Sequence, residues 1–365
     1  MSVTVGIVVF LAGFAVVVYV VQAAVRTVIL ARAARVSLSA AAFGFVVVTF
    51  RWLASHRKTY ERQDRVLALI APIGMLMIPL VWLALVMAGF ASMFWATDQR
   101  LGAAGAFQLS GSSITTLGFA SPTGVGQEAL AFTEALLGLL LLTLFITYLP
   151  TVYSAFQRRE QRVALLEVRA GTPPSAQEML IRFHDIGWLD ELTAEWLDWE
   201  PWFMELEETH TNHAALAWFR STDPHRSWVT ASGTILDAAA LWLSTCDGQH
   251  GADRAAAGLM IRAGYTSLRQ IAGTFGIAFD PAPAPGNPIA VQRTEFDTAY
   301  SALEEAGIRL HVDKDQAWED FSGWRVNYEA PLLGLAEMLR VPYAPWTSDR
   351  SAPLRHGSSR RPTAP

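Results

Sequence analysis

Three stretches of this chain run almost without charge, over lengths that a helix in water cannot hide on every side. Residues 1–25 (MSVTVGIVVFLAGFAVVVYVVQAAV) carry no charge. Val66–Ala96 carries none over 31 residues, and Ala129–Phe156 contains only Glu134. A hydrocarbon core about 30 Å thick is crossed by about 20 helical residues, so each stretch is long enough to span it. The first lacks the basic start and small-residue cleavage site of a signal peptide and reads as a retained span. Pro72 and Pro79 in the second are tolerated better by a membrane helix than by a soluble one. A fourth stretch, Val36–Ala54, is apolar but short, with basic residues on both sides. If it crossed, either Arg32 and Arg35 or the 57–65 cluster would lie outside. The expectation is therefore an interfacial or membrane-buried helix and three full spans.

Basic residues orient the spans. Arg57, Lys58, Arg62 and Arg65 precede the second, and Arg158, Arg159, Arg162 and Arg169 follow the third. Residues 97–128 between them hold only Asp98, Arg100 and Glu128. Spans two and three therefore read as a hairpin with both outer ends cytoplasmic. The charge balance divides the chain in the same place. Residues 1–170 hold 13 Lys and Arg against 7 Asp and Glu, net +6. Residues 171–365 hold 15 against 26, net −11. This split excludes one soluble globule and a disordered chain, and without a basic stripe no nucleic-acid partner is expected. The single cysteine, Cys246, excludes a disulfide framework within the chain, so nothing argues for an oxidising compartment.

The external loop reads Phe107-Gln-Leu-Ser-Gly-Ser-Ser-Ile-Thr-Thr-Leu-Gly-Phe-Ala-Ser-Pro122. A short, uncharged, helix-compatible stretch, roughly Ala103–Ile114, leads into Thr115-Thr116-Leu117-Gly118-Phe119. An ion pore must replace a cation's water with oxygens. Backbone carbonyls do so where unusual dihedrals turn them to one side, which favours glycine. Irregular backbone is tolerated at membrane depth only where it lines a water-filled cavity. Thr116 and Gly118 supply those parts, with the Thr116 hydroxyl as a further oxygen and Phe119 able to wedge against the preceding helix.

Ser110-x5-Thr116-Leu117-Gly118-Phe119 resembles the Ser-x5-Thr-Val-Gly-Tyr filter region of the potassium channel pore family, in its two-helix-plus-pore-loop form. Gly138 lies 20 residues past Gly118, where such channels often place a hinge glycine, and Leu149-Pro150-Thr-Val-Tyr-Ser is similar to the inner-gate proline segment of voltage-gated members. The resemblance covers about Arg65–Arg162. It implies a filter at Thr116, Leu117, Gly118, Phe119 and Ala120, gating positions at Gly138 and Pro150, K+ as the permeant ion, and a homotetramer, since each chain supplies one loop. The family's filters usually close with a second glycine and often an aspartate, where this chain has Ala120 and Ser121. A left-handed backbone at Ala120 would cost about 1–2 kcal/mol and reshape the outer ion site, implying weaker selectivity. Glu134, an intramembrane carboxylate, is a candidate pore residue behind the filter or a residue at the headgroup boundary.

The second half reads as helices, with breaks at Asp185–Gly187, Glu200–Pro201 and Ser221–Pro224 and a proline-rich linker at Asp280–Pro288. GTPPSA at 171–176 ends the helix that continues the third span. No Gly-x-Gly-x-x-Gly follows a strand, and neither a nucleotide-gating domain, a nucleophile–base pair nor a catalytic site is evident. Glu207, His210 and His213 share a helical face and are weak metal candidates, since helical metal sites need further carboxylates. The tryptophans read as core, and Cys246 as a small buried hydrophobe.

The expected fold class is an all-α membrane protein: a transmembrane hairpin with a re-entrant pore helix and filter, an extra N-terminal span and a helical cytoplasmic domain. Its parts are an N-terminal helix (1–35), an interfacial helix and basic linker (36–64), a pore domain (65–162), a helical domain for assembly or gating (163–346) and a disordered tail (347–365). The expected function is a non-enzymatic, tetrameric, potassium-conducting channel without cofactors, set in the cell's inner (plasma) membrane with the lipid bilayer and its own copies as partners. The alternative is a membrane-anchored scaffold or sensor with a non-conducting pore-like domain.

Overall fold

A computed structural model describes residues 3–28, 37–247, 251–311 and 313–350. The described residues are helical and contain no strand; Cys246 and Leu310 form one isolated antiparallel bridge. The chain folds as two units, Met1–Ala155 and Phe156–Pro365, a division seven residues before the boundary expected from sequence.

The first unit contains α1 (Val3–Val28), α2 (Ser37–Ser55), α3 (Tyr60–Leu67), α4 (Ile70–Thr97), α5 (Gly102–Ile114) and the start of α6 (Val125–Ala170). Four helical segments are long and apolar enough to cross a membrane, which makes this a multi-pass membrane protein: α1, α2, the α3–α4 segment and α6. Length and composition thus class α2 with the spans, whereas the charge rule places it at the interface. Small residues bring the helices together. A Cβ on Gly13 would meet the Gly89 carbonyl at 2.5 Å, so α1 and α4 touch backbone to backbone. Gly74 of α4 gives the Phe43 ring of α2 its seat. Ile78, Trp82, Val86, Phe90 and Phe94 carry α4 through the centre of this apolar core.

α6 is 46 residues long and remains helical through Gly138 and Pro150. It ends at Gly171, whose φ of 82° is the left-handed conformation that stops helices.

The second unit packs α7 (Ala176–Asp185), α8 (Leu192–Asn212), α10 (Gly251–Thr274), α11 (Arg293–Glu305), α12 (Lys314–Arg325) and α13 (Glu329–Leu339) with α9 (Trp228–Thr245). Every one of the 18 residues of α9 is buried, enclosed by α7, α10, α12 and α13. Trp196, Trp199, Trp202, Trp228 and Trp242 lie in the core. Pro201 does not break α8, contrary to the expectation from sequence. It removes one backbone hydrogen bond and crowds the carbonyl four residues back, a cost of about 3 kcal/mol. Trp196, Trp199, Trp202 and Phe203 bury aromatic area on both sides of it, and each large buried side chain returns about 1.5–3 kcal/mol.

The beginning of the expected disordered tail is fixed. The Thr347 side chain is buried. Arg350 donates to Glu295 Oε1 at 2.7 Å and to the Ala290 carbonyl at 3.0 Å. Residues 351–365, the rest of that tail, lie outside the described residues.

Candidate functional site

α5 is too short to cross a bilayer: at about 1.5 Å per residue its 13 residues reach about 20 Å. It packs against α4 and ends at Ile114. From there the backbone alternates in handedness. Thr115 has φ −86°, Thr116 +57° and Gly118 +70°, while Leu117 stays outside the positive region. Such alternation turns successive peptide units the same way. For Gly118 the conformation is free. For Thr116, a β-branched residue, it is a strained outlier. Ala120 is not left-handed, so the strain expected there falls on Thr116 instead.

Ser112 fastens the loop at both ends. Its carbonyl accepts from Leu117 N at 3.1 Å, and its hydroxyl oxygen accepts from Ala120 N at 3.0 Å. Leu117 and Phe119 are 71% and 64% exposed. The wedge of Phe119 against α5 is therefore not made within one chain. The Thr116 hydroxyl donates to the Thr115 carbonyl at 2.7 Å, which turns it back onto the backbone.

Glu134 lies behind this loop. Its side chain is buried and bonded to the Ser110 hydroxyl of α5. The same hydroxyl donates to the Met87 carbonyl of α4 at 2.8 Å, so three helices meet at one oxygen. The other carboxyl oxygen, Oε2, is buried without a hydrogen-bond partner. Gly138 is a close-approach position: an added Cβ would sit 2.9 Å from the Ile114 carbonyl and 3.0 Å from Ile114 Cγ1. Pro150 lies within the continuous α6 and is exposed.

Glu207, His210 and His213 are not brought together as a metal site, and among the described residues no group of three His, Cys, Asp or Glu could hold a metal ion. His210 turns inward. Its Nε2 lies 3.1 Å from Arg159 Nη1, which can only donate, so Nε2 accepts. Nδ1 then carries the proton and donates to the Leu206 carbonyl at 3.0 Å. Glu207 Oε2 instead accepts from the Ser267 hydroxyl at 3.4 Å, and His213 caps the end of α8.

Burial and the neighbouring Arg159 guanidinium hold His210 well below the ordinary imidazole range. The unfolded chain takes up a proton below about pH 6.5 while folded His210 does not, so stability present above that pH is lost as pH falls. Between pH 7.5 and 5.5 this one residue is expected to cost about 1.3 kcal/mol. Urea titrations followed by tryptophan emission check it. The pH dependence should shrink by that amount in His210→Gln, and an equal slope in both proteins would contradict a His210 that stays neutral when folded.

One cluster gave no signal in the sequence. Asp237 of α9 is buried against Arg325 and accepts from the Tyr328 hydroxyl at 2.7 Å. Arg325 Nε donates to Glu329 Oε1 at 2.8 Å, and Glu329 Oε2 accepts from Ala290 N at 2.7 Å. All four side chains are buried. Burial raises the Asp237 carboxyl despite its partners. Burial likewise pushes the Cys246 thiol up to about 12, so it stays an inert thiol.

No protein family, curated protein or solved structure matches this chain.

Proposed function

We propose that this chain is one subunit of a homotetrameric cation channel that conducts K+ and belongs with the potassium channel pore family. In this reading α4 and α6 are the outer and inner helices, α5 is the pore helix and 115–119 is the filter. The observation that carries it is the backbone of 115–118, whose φ alternates in sign directly after a helix too short to cross a bilayer. A chain of like-turned carbonyls is what a desolvated cation requires, and strained backbone of this kind gathers at ligand clamps. α6 supports the assembly. Phe132, Leu136, Leu139, Leu140 and Ile146 are exposed along one side of it, an apolar surface for lipid or neighbouring copies to cover. Ala120 lies outside the alternation, so the filter is shorter than the family's and discriminates less between K+ and Na+. The C-terminal domain then faces the cytoplasm and serves assembly or gating.

Full-length protein in liposomes should pass K+, and Gly118→Ala should abolish the flux. Gly124→Ala is the matched control: it also has positive φ and open space around its Cα, but lies outside 115–119. Equal loss in both variants, or none in Gly118→Ala, would sink the filter assignment. A wild-type protein that is tetrameric yet passes no cation would favour the scaffold or sensor instead.

A further inference from the structure

Arg57, Arg62 and Arg65 line a cleft of about 310 Å³ with Val66 at the start of the α3–α4 segment. Arg62 and Arg65 are three apart on α3 and so share a face. Arg57 is brought to them by the turn before α3, which the bonds Arg57 N to Ala54 O (2.9 Å) and Gln63 Nε2 to Arg57 O (3.1 Å) hold in place. The chain's other basic group is neutralised. Arg158 pairs with Glu205, Arg162 with Asp198 at 3.0 Å, and Arg169 with Glu195 at 2.9 Å. Among the described residues Arg57, Arg62 and Arg65 have no such carboxylate partner, although Glu61 and Asp64 lie on the same helix. Three guanidiniums lining one open cleft, with no carboxylate partner among the described residues, suit a phosphate group.

Neighbouring residues set the depth of the cleft. Phe45, Val48 and Trp52 form an exposed stripe along α2. Trp52 ends the stripe and packs edge-on against His56, with ring centroids 4.8 Å apart. A tryptophan at the end of an apolar stripe marks the level where hydrocarbon meets water. Arg57 follows directly, at headgroup height. Leu69, Leu76 and Leu80 of α4 are exposed along the adjoining span, offering an acyl chain a path from the cleft into the hydrocarbon.

We propose that this cleft holds the phosphate of an anionic phospholipid, with Arg57, Arg62 and Arg65 as its donors. The proposal stands independently of ion conduction. It assigns a second role to the basic residues that orient the chain, since charge beside a span attracts anionic lipid.

The test is native mass spectrometry of the full-length protein released from micelles doped with equal phosphatidylglycerol and phosphatidylcholine. The wild type should retain phosphatidylglycerol preferentially. The triple variant Arg57→Gln, Arg62→Gln, Arg65→Gln should lower that retention by roughly a hundredfold. Arg158→Gln with Arg162→Gln, which removes paired charges, should leave it unchanged. Helix content by circular dichroism checks that the triple variant folds. If it does not, the three single Arg→Gln variants should each lower retention severalfold, most strongly at low salt. Retention unchanged in every folded variant, or equal for both lipids in the wild type, overturns the proposal. Inorganic phosphate at millimolar concentration is the remaining arm. If it displaces phosphatidylglycerol fully and protects delipidated protein equally against heat, the cleft is a free-phosphate site and the lipid assignment is overturned.

Discussion

Arg325→Leu should destabilise the C-terminal domain by about 3–5 kcal/mol, the cost of breaking a buried ion pair by removing one partner. The substitution leaves two carboxylates, Asp237 and Glu329, buried with no guanidinium between them, and strips the donor from the Trp346 carbonyl. Urea unfolding read by tryptophan emission is the measurement. Two companion results separate charge from volume. Arg182→Leu, which breaks an exposed i,i+4 pair with Glu178 and an exposed bond to the Val168 carbonyl, should cost no more than about 1 kcal/mol. Replacing Asp237, Arg325 and Glu329 together with apolar residues should recover most of the loss, because no uncompensated charge then remains. The Arg325→Leu defect should also lessen as pH falls. Burial already raises Asp237 with Arg325 present, and without it the carboxyl takes up a proton more readily. A loss below about 1 kcal/mol would show that the ion pairs of Arg325 add little net stability to the domain.

Gly138→Ala is expected to damage the loop rather than stiffen α6. Alanine is the better helix former by about 1 kcal/mol, which favours the substitution. Against that, the new methyl meets the Ile114 carbonyl at 2.9 Å, and overpacking costs about 1–3 kcal/mol. Ile114 directly precedes the alternating backbone, so relief of the clash moves Thr115 and Thr116. In the proposed channel, cation flux should fall roughly tenfold, the equivalent of about 1.4 kcal/mol, and the ratio of K+ to Na+ should change with it. Gly126→Ala, on the same helix with nothing within 4 Å of its added Cβ, should leave both unchanged. A hinge would behave differently: Gly138→Ala would reduce channel opening and leave the ion ratio intact.

Features that depend on local composition were readable before the structure. The uncharged runs gave α1, α4 and α6, because no other solvent accepts such lengths. Ala103–Ile114 gave α5, Gly102–Ile114, to within a residue, with Thr115 at its C-terminal end. Gly171 gave the end of α6. Features that depend on distant partners were hidden. His210 looked like one of three ligands on a face until Arg159, 51 residues away, claimed its Nε2. Pro201 looked like a stop until the aromatic core on both sides of it outweighed one lost hydrogen bond. Asp237 meets Arg325 across 88 residues, and nothing near either residue announces the other. At the loop, glycine is the sequence signal for left-handed backbone. That found Gly118 and missed Thr116, where the surrounding structure, not the residue, sets the dihedral.

The burial of α9 has a consequence for the making of this protein. Trp228–Thr245 is 18 residues with a single charge, nearly the length of a membrane span. Two of the helices that enclose it, α12 and α13, begin at Lys314 and Glu329. A ribosome feeding this chain to the insertion machinery therefore presents α9 long before its shelter exists. Asp237 lies near the middle of the segment, where a carboxylate opposes insertion by about 2.5–3.5 kcal/mol. The carboxylate that later requires Arg325 thus first keeps the nascent segment out of the lipid.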